Sequence, residues 1–283
     1  MDEANKKIIS NYTFHTQIIK NWKFYDVPAA PSRNGAEIIQ NFIGKQGKEP
    51  KILILGATPQ YRDLAHRLKA KVTCIDLSLP MLIAMINFME YSKEADREVW
   101  VRDSWVNMNL EKGYFDFVVA DLTIPNLPLE LQQKMMQRVR YVLKPGGYFI
   151  PREWNGAAIK KKPEDTIEEF LNVGKTDPHT MYTFLWDFLD FVHNHQDYTA
   201  KSGDIAVVIE GLWKKEKDKK RKAKIKKLLD HAKTTYPAGK TWWNLLEPQK
   251  EELFKKYFVI EGKEFANDYQ HTKECPIYFL KNN

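Results

Sequence analysis

The sequence has few cysteines and no long apolar run, and both shortages narrow what the protein can be. Cys74 and Cys275 are its two cysteines in 283 residues, too few for a disulfide framework and without metal-ligand spacing. No apolar stretch approaches the roughly 18 residues that a membrane-spanning helix needs. The amino terminus lacks a signal-peptide pattern. We therefore expect a cytoplasmic protein without a metal or a membrane partner, in which Cys74 is a buried thiol.

An excess of basic over acidic charge is absent outside one segment. The net charge is +7, but residues 214–227 alone contain ten Lys or Arg and two acids. The remainder of the chain is therefore close to neutral, and the basicity is local. We interpret this run first as the solvated face of a basic helix. Binding of RNA or of an acidic carrier is the second interpretation.

Glycine is sparse where a nucleotide-binding turn would be richest in it. The apolar run Ile52–Leu55 has the length and composition of a strand, and Gly56 follows at once, before a polar stretch that can become a helix. A dehydrogenase fingerprint needs three spaced glycines at this point, so that class is disfavoured. A single glycine still lets a ligand approach the backbone closely.

A carboxylate ends the next predicted strand. Val72–Ile75 is apolar, and Asp76 follows it about twenty residues after Gly56. An acid at that offset, at the carboxyl end of the neighbouring strand, can accept hydrogen bonds from a ribose diol. The pattern predicts a nucleoside site at this edge of the sheet.

Strand and helix patterns then alternate along the chain. Further strands are predicted at residues 98–102, 113–121 and 148–150, and Lys144–Gly147 ends the helix before the last of these. Such alternation predicts a parallel, doubly wound α/β sheet. Two more strand-like runs, residues 257–262 and 275–280, complete the pattern near the carboxyl terminus.

In its order and spacing of motifs, the segment from Ile52 to Glu153 resembles the core of class I S-adenosylmethionine-dependent methyltransferases. The resemblance implies a seven-stranded, mostly parallel sheet with an antiparallel last strand. The single-glycine turn departs from the family pattern. After Asp121 the chain reads Leu-Thr-Ile-Pro, which lacks the signatures of amino-methylating DNA enzymes and of cytosine C5 enzymes. Those two classes are disfavoured.

We divide the chain into four parts on this basis. Residues 1–45 are predicted to be an N-terminal helical cover, and residues 46–155 the S-adenosylmethionine-binding core. Residues 156–245 are predicted to be a mainly helical insertion on the substrate side. Residues 246–283 would supply a helix and a β-hairpin that complete the sheet.

The resemblance also implies which residues bind the cofactor. Asp76 would hold the ribose, Met81 would pack on the adenine, and Asp103 would contact the adenine amino group. Asp121 would meet the methionine amino group or the acceptor. The full predicted set is Gly56, Ala57, Thr58, Asp76, Leu77, Met81, Asp103, Ser104, Trp105 and Asp121.

The acceptor side is less defined. Candidate pocket residues are Tyr25, Arg33, Tyr182 and Trp186. If the acceptor needs a general base, a carboxylate or a histidine would serve, and the candidates are Asp121, Glu153, His179 and His193. The sequence does not choose among them, and some family members need no base.

Three functions remain open at this stage. The first is methyl transfer from S-adenosylmethionine to an oxygen or nitrogen of a small molecule. The second is an RNA-binding or RNA-modifying methyltransferase that uses the basic helix at 214–227, which is possible but not favoured. The third is a degenerate member that binds the cofactor without transferring methyl. The sequence predicts no oligomeric state.

Overall fold

The computed structural model describes residues 19–20, 22, 27–155, 161–236 and 239–283. The chain divides into two compact units, one of residues 30–155 and 245–283 and the other of residues 1–29 and 156–244. We call them the sheet unit and the helical unit. Most of the predicted N-terminal cover, Tyr25 included, lies outside the described residues.

The sheet unit alternates strands and helices, as the sequence predicts. Its elements are, in chain order, α1 Arg33–Gly44, β1 Lys51–Leu55, α2 Pro59–Arg67, β2 Lys71–Asp76, α3 Leu79–Met85, β3 Val99–Arg102, β4 Phe115–Asp121, α4 Leu129–Val142 and β5 Leu143–Arg152. After the helical unit the chain returns and adds three more elements, α9 Glu247–Lys255, β9 Val259–Glu264 and β10 Ile277–Lys281.

Seven strands form one sheet in the order β3-β2-β1-β4-β5-β10-β9. Strands β1 to β5 pair in parallel, and β10 is antiparallel to both of its neighbours. The predicted fold, a mostly parallel sheet with an antiparallel last strand, is confirmed. Because β1 lies between β2 and β4, the carboxyl ends of the central strands meet at one edge, where open α/β sheets bind ligands.

The central strands form the core of this unit. Residues 52–55 of β1 and residues 117–120 of β4 are buried, as expected for strands covered by helices on both faces. Cys74 in β2 is also buried, as predicted, and both cysteines are free.

Two serines begin helices of the sheet unit. Ser32 precedes α1, and its hydroxyl accepts a hydrogen bond from the Gly35 amide. The Ser78 hydroxyl accepts from the Met81 amide and caps α3, as its place before Pro80 predicts. Such caps fix the exit of the chain from a strand, and Ser78 does so immediately after β2.

A buried ion pair attaches α2 to the sheet. Arg62 donates to Glu98, just before β3, and both side chains are fully buried. His66 lies 2.9 Å from the same carboxylate. These contacts hold α2, whose first turn follows the Gly56 loop, in a fixed orientation.

The helical unit contains four described helices and a small sheet. The helices are α5 Pro163–Val173, α6 Pro178–Phe191, α7 Ser202–Lys215 and α8 Lys219–Thr235. The strands β6 His193–Asn194, β7 Thr199–Lys201 and β8 Thr241–Trp243 form an antiparallel three-stranded sheet in that order.

The basic run at 214–227 is not a single helix, which corrects the sequence prediction. It spans the end of α7 and the start of α8, with a break at Glu216–Asp218. The Asp218 carboxylate accepts from the Arg221 amide and starts the second helix. Acidic partners also offset part of the charge, because Arg221 pairs with Glu168 and Glu216.

Across the ranges that the structure describes, no helix is both long enough and apolar enough to cross a membrane.

Candidate functional site at the carboxyl edge of the sheet

The turn after β1 brings the backbone of Gly56 to the end of β2. Gly56 has φ of +106°, a conformation that side-chain-bearing residues rarely adopt. Its amide donates to the carbonyl of Ile75 at 2.9 Å. The glycine therefore allows the chain to turn sharply while staying against the neighbouring strand.

Three predicted cofactor residues converge at this turn. A Cβ placed on Gly56 would lie 4.0 Å from Oδ2 of Asp76 and 4.0 Å from Cζ2 of Trp105. The missing side chain thus keeps open the space between a carboxylate oxygen and an aromatic ring. Predicted from three separate stretches of sequence, these residues form one small surface.

Trp105 is held in place by the same carbonyl that holds the turn. Its indole Nε1 donates to Ile75 O at 2.9 Å, so this oxygen accepts from both Gly56 and Trp105. The ring is half-buried. Its orientation is therefore set before any ligand arrives.

Asp76 forms no ion pair with any residue that the structure describes, although Arg102 is its register partner on β3. Its Oδ1 accepts from the Ser78 amide at 2.8 Å. Burial raises the pKa of this carboxyl to about 6, and the Ser78 amide only partly opposes the rise. A ligand that donates hydrogen bonds to Oδ2 would favour the ionised form.

These features fit a nucleoside. A ribose diol supplies two neutral donors for a carboxylate, and an open glycine backbone beside an aromatic ring accommodates a flat group. The assignment of Asp76, Gly56 and Trp105 to the nucleoside part of S-adenosylmethionine stays a prediction that this geometry accommodates.

The other predicted cofactor residues surround this surface to different degrees. Ala57 and Met81 are buried, while Leu77 is 60% exposed. The two oxygens of Asp103 accept from the Ser104 amide at 2.7 Å and the Asn109 amide at 3.1 Å. Asp103 therefore shapes its own loop, and its contact with adenine stays a prediction.

Thr58 and Ser104 serve backbone turns. The Thr58 carbonyl accepts from the amides of Tyr61 and Arg62 and begins α2. The Ser104 hydroxyl lies 3.4 Å from the Val106 amide, close to the limit of a hydrogen bond. Any contact of these two residues with cofactor also stays a prediction.

Further along the same edge, Asp121 ends β4 beside Arg152, which ends β5. The two residues are register partners, and Arg152 Nε donates to Asp121 Oδ1 at 2.6 Å. The side chain of Arg152 is 1% exposed and that of Asp121 is 5% exposed. Burial raises the pKa of Asp121, and Arg152 opposes that rise.

Glu153 is fully buried and pairs with a lysine that is distant in sequence. Its Oε2 lies 3.6 Å from Lys250 Nζ, and Lys250 also donates to the Trp154 carbonyl. Burial raises the pKa of Glu153 to about 7, with the Lys250 ammonium opposing the rise. Glu153 can therefore change protonation near neutral pH.

The two histidine candidates lie in the helical unit. His193 is buried, and its Nε2 lies 2.9 Å from the carbonyl oxygen of Asn244. His179 is exposed in the first turn of α6. No group of three or more His, Cys, Asp or Glu is placed to hold a metal ion within the described part of the chain.

The predicted pocket residues have the following places. Tyr182 and Trp186 are buried in α6, and Tyr182 stacks on Tyr236 with ring centroids 6.2 Å apart. Arg33 pairs with Glu37 one turn along α1, with its side chain 90% exposed. Their role in acceptor binding is untested by these contacts.

Sequence reasoning missed Arg152 and Lys250. Arg152 stands in the run Pro-Arg-Glu that directly follows an apolar strand, where charged residues at a ligand-binding edge are a usable signal. Lys250 gives no such signal, because it lies 97 positions from Glu153 and is surrounded by ordinary helical residues.

Comparison with known proteins agrees with this geometry. The family described as "Methyltransferase domain" matches residues 55–150, about one third of the chain. No curated protein sequence matches.

Similar solved structures cover nearly the whole chain at low identity. CcbJ methyltransferase from Streptomyces caelestis is 13% identical, with a TM-score of 0.56 over 95% of this chain and 98% of its own. For Burkholderia thailandensis 1,6-didemethyltoxoflavin-N1-methyltransferase the values are 11%, 0.55, 97% and 89%. A Rhodobacter sphaeroides structure called "Putative Zn-dependent Alcohol Dehydrogenases" gives 15%, 0.61, 96% and 99%. These likenesses establish the fold.

Residues 55–150 therefore match a methyltransferase domain, and the sheet around them has the topology that the resemblance to class I S-adenosylmethionine-dependent methyltransferases implies.

Proposed function

We propose that the protein transfers the methyl group of S-adenosylmethionine to an oxygen or nitrogen atom of a small-molecule acceptor. The convergence of Gly56, Asp76 and Trp105 supports this proposal most strongly. The Burkholderia neighbour, named for N1-methylation of 1,6-didemethyltoxoflavin and solved with that compound and S-adenosylhomocysteine, supports a small acceptor.

The chemistry asks little of the protein beyond positioning. S-adenosylmethionine, when bound, supplies a methyl group already activated by its sulfonium. Asp76 would fix the ribose through Oδ2, and the Gly56 backbone would let the nucleoside lie against the strand end. Holding two reactants in line at short distance can account for most of the acceleration that such a reaction needs.

A general base is a separate question, on which the two acids of the sheet unit differ. Asp121 already accepts from Arg152. Glu153 is buried beside Lys250, with a pKa of about 7. We assign Asp121 to the acceptor end of the site, because it ends β4, the strand on the far side of β1 from Asp76.

The test of this function has two stages. Calorimetry should show binding of S-adenosylmethionine and S-adenosylhomocysteine and no binding of NAD. The Asp76→Ala substitution should abolish binding of the first two compounds. A methyl-transfer screen with labelled cofactor and a metabolite extract should then label a small molecule. Unchanged cofactor affinity in Asp76→Ala would refute the assignment of the nucleoside site.

The RNA hypothesis can be tested in the same preparation. Neutralising the lysines of residues 214–227 by substitution should leave labelling of the small-molecule fraction unchanged. If RNA were the acceptor, labelled RNA would appear, and its binding would fall steeply with salt and with loss of these charges.

A further inference from the structure

The guanidinium of Arg152 has donors to spare. It spends Nε on Asp121, and neither Nη1 nor Nη2 has a hydrogen-bond partner among the described residues. The side chain is 1% exposed. A guanidinium only donates hydrogen bonds, and buried donors without an acceptor are destabilising. We therefore expect a ligand that supplies hydrogen-bond acceptors to these nitrogen atoms.

Two tyrosine hydroxyls belong to the same cluster. The hydroxyls of Tyr61, on the first turns of α2, and Tyr269, in the loop between β9 and β10, are buried and have no hydrogen-bond partner in the described parts of the chain. Burial raises the pKa of both hydroxyls, and Arg152 opposes the rise through its charge and through a side-chain interaction with each hydroxyl. Both therefore stay protonated at neutral pH and can donate.

Four donor atoms of two kinds, two Nη atoms and two hydroxyls, thus belong to one cluster around Arg152. A carboxylate is the group that matches them. It accepts up to four hydrogen bonds through two coplanar oxygens, and it pairs with a guanidinium through two parallel N–H···O bonds.

We propose that Arg152, Tyr61 and Tyr269 bind a carboxylate group of the methyl acceptor. The assignment of this carboxylate to the methyl acceptor rests on the proposed function. Strand order supports that choice of source. Arg152 ends β5, three strands away from β2 and its ribose-binding Asp76, which corresponds to about 14 Å across the sheet.

Asp121 then acts as a positioning residue in this receptor. By accepting from Nε, it fixes the plane of the guanidinium, and both Nη atoms remain without a hydrogen bond to the described residues. When no carboxylate ligand is bound, the charges of Arg152 and Asp121 neutralise each other. The unoccupied site therefore carries no net charge from this pair.

Tyr61→Phe is the decisive variant, because it removes only a buried hydroxyl near Arg152 that forms no hydrogen bond of ordinary length and angle with the described residues. If the hydroxyl were structural, its loss would lower the melting temperature. If it serves a ligand, the free protein should be as stable as the wild type or more so. Tyr148→Phe is the matched control, since Tyr148 lies four residues before Arg152 on β5 and its hydroxyl donates to Glu261.

Binding is then measured by calorimetry with two probe pairs, acetate against acetamide and benzoate against benzamide, with and without S-adenosylhomocysteine. At least one carboxylate should bind and its amide should not. Tyr61→Phe should weaken that binding roughly tenfold or more, the usual weight of a hydrogen bond to a charged group. Tyr148→Phe should leave it unchanged. Equal binding of acids and amides, no binding of either acid, or full affinity in Tyr61→Phe would overturn the proposal.

A second arm separates the possible sources of the carboxylate. S-adenosylhomocysteine carries one, whereas 5′-methylthioadenosine does not. Tyr61→Phe should bind both as the wild type does. If it loses affinity only for S-adenosylhomocysteine, the carboxylate belongs to the cofactor and our assignment to the acceptor is wrong. If the wild type binds neither nucleoside, the proposed function fails, while the acid and amide comparison still stands on its own.

Discussion

Asp76 and Asp121 occupy equivalent places and are treated in opposite ways. Each ends a strand adjacent to β1, at the same edge of the sheet. Asp76 accepts from a backbone amide and has no ion pair within the described ranges, and burial raises its pKa to about 6. Asp121 is bound to the guanidinium of Arg152. We expect Asp76 to accept hydrogen bonds from neutral donors of a ligand. Asp121 instead pairs with Arg152, which we propose binds a ligand itself.

The largest expected effect comes from breaking the committed pair. Arg152→Gln would leave Asp121 buried without its cation, and we expect the free energy of unfolding to fall by about 3–5 kcal/mol. Urea denaturation monitored by circular dichroism measures it. Adding Asp121→Asn to this variant should restore much of the loss. A loss below about 1 kcal/mol would mean that the pair is not buried as described.

Removing the uncommitted acid should have the opposite profile. Asp76→Asn keeps an oxygen for the Ser78 amide but removes the charge, so stability at neutral pH should not fall while cofactor affinity does. The loss of hydrogen bonds to a charged group corresponds to roughly tenfold to a hundredfold in Kd. Calorimetry with S-adenosylhomocysteine measures this change. Asp116→Asn, at the amino end of β4 where Asp116 binds Lys144, is the control and should bind normally.

The pH dependence of cofactor binding sharpens the contrast. Because the free Asp76 carboxyl has a pKa of about 6, its protonation competes with a ligand that donates to it. We expect affinity to be constant above pH 7 and to fall below pH 6, by up to about tenfold per pH unit. Asp76→Asn should remove this component.

The same shift affects the stability of the free protein with a definite sign. A carboxyl whose pKa is raised on folding favours the folded state below its unfolded pKa, and that contribution is lost as pH rises through about 6. The Asp76→Asn variant should therefore gain stability over the wild type above pH 6 and little below pH 4, measured by urea titration at each pH.

The smallest effect tests the glycine. Gly56→Ala and Gly113→Ala both place a Cβ on a residue with positive φ, at +106° and +61°. Each should cost about 1–2 kcal/mol of stability. Only the Gly56 variant puts its methyl beside Asp76 and Trp105, so only it should also weaken cofactor binding, by severalfold in calorimetry. Equal binding by both variants would place the nucleoside elsewhere.

Much of the sheet is predictable because its information is local. The apolar run Ile52–Leu55 and the acid that ends β2 identify themselves within a few residues, and the structure places both as expected. The nucleoside surface follows from these, since parallel strands bring their carboxyl ends together.

The acceptor end depends on pairings that no local pattern encodes. Asp121 meets Arg152 through strand register, and Tyr269 reaches the cluster from beyond the helical unit. The break in the basic run at Glu216–Asp218 is a different failure. Asp218 is of a residue type that often caps helices, but the density of basic residues around it led to the prediction of one helix.

Carbon-13 NMR of the labelled aspartate carboxyls measures directly whether Asp76 accepts hydrogen bonds from the cofactor. We expect the Asp76 signal to titrate with a pKa of about 6 in the free protein and at least one unit lower with saturating S-adenosylhomocysteine. An Asp76 pKa that is the same in both samples would contradict the central claim.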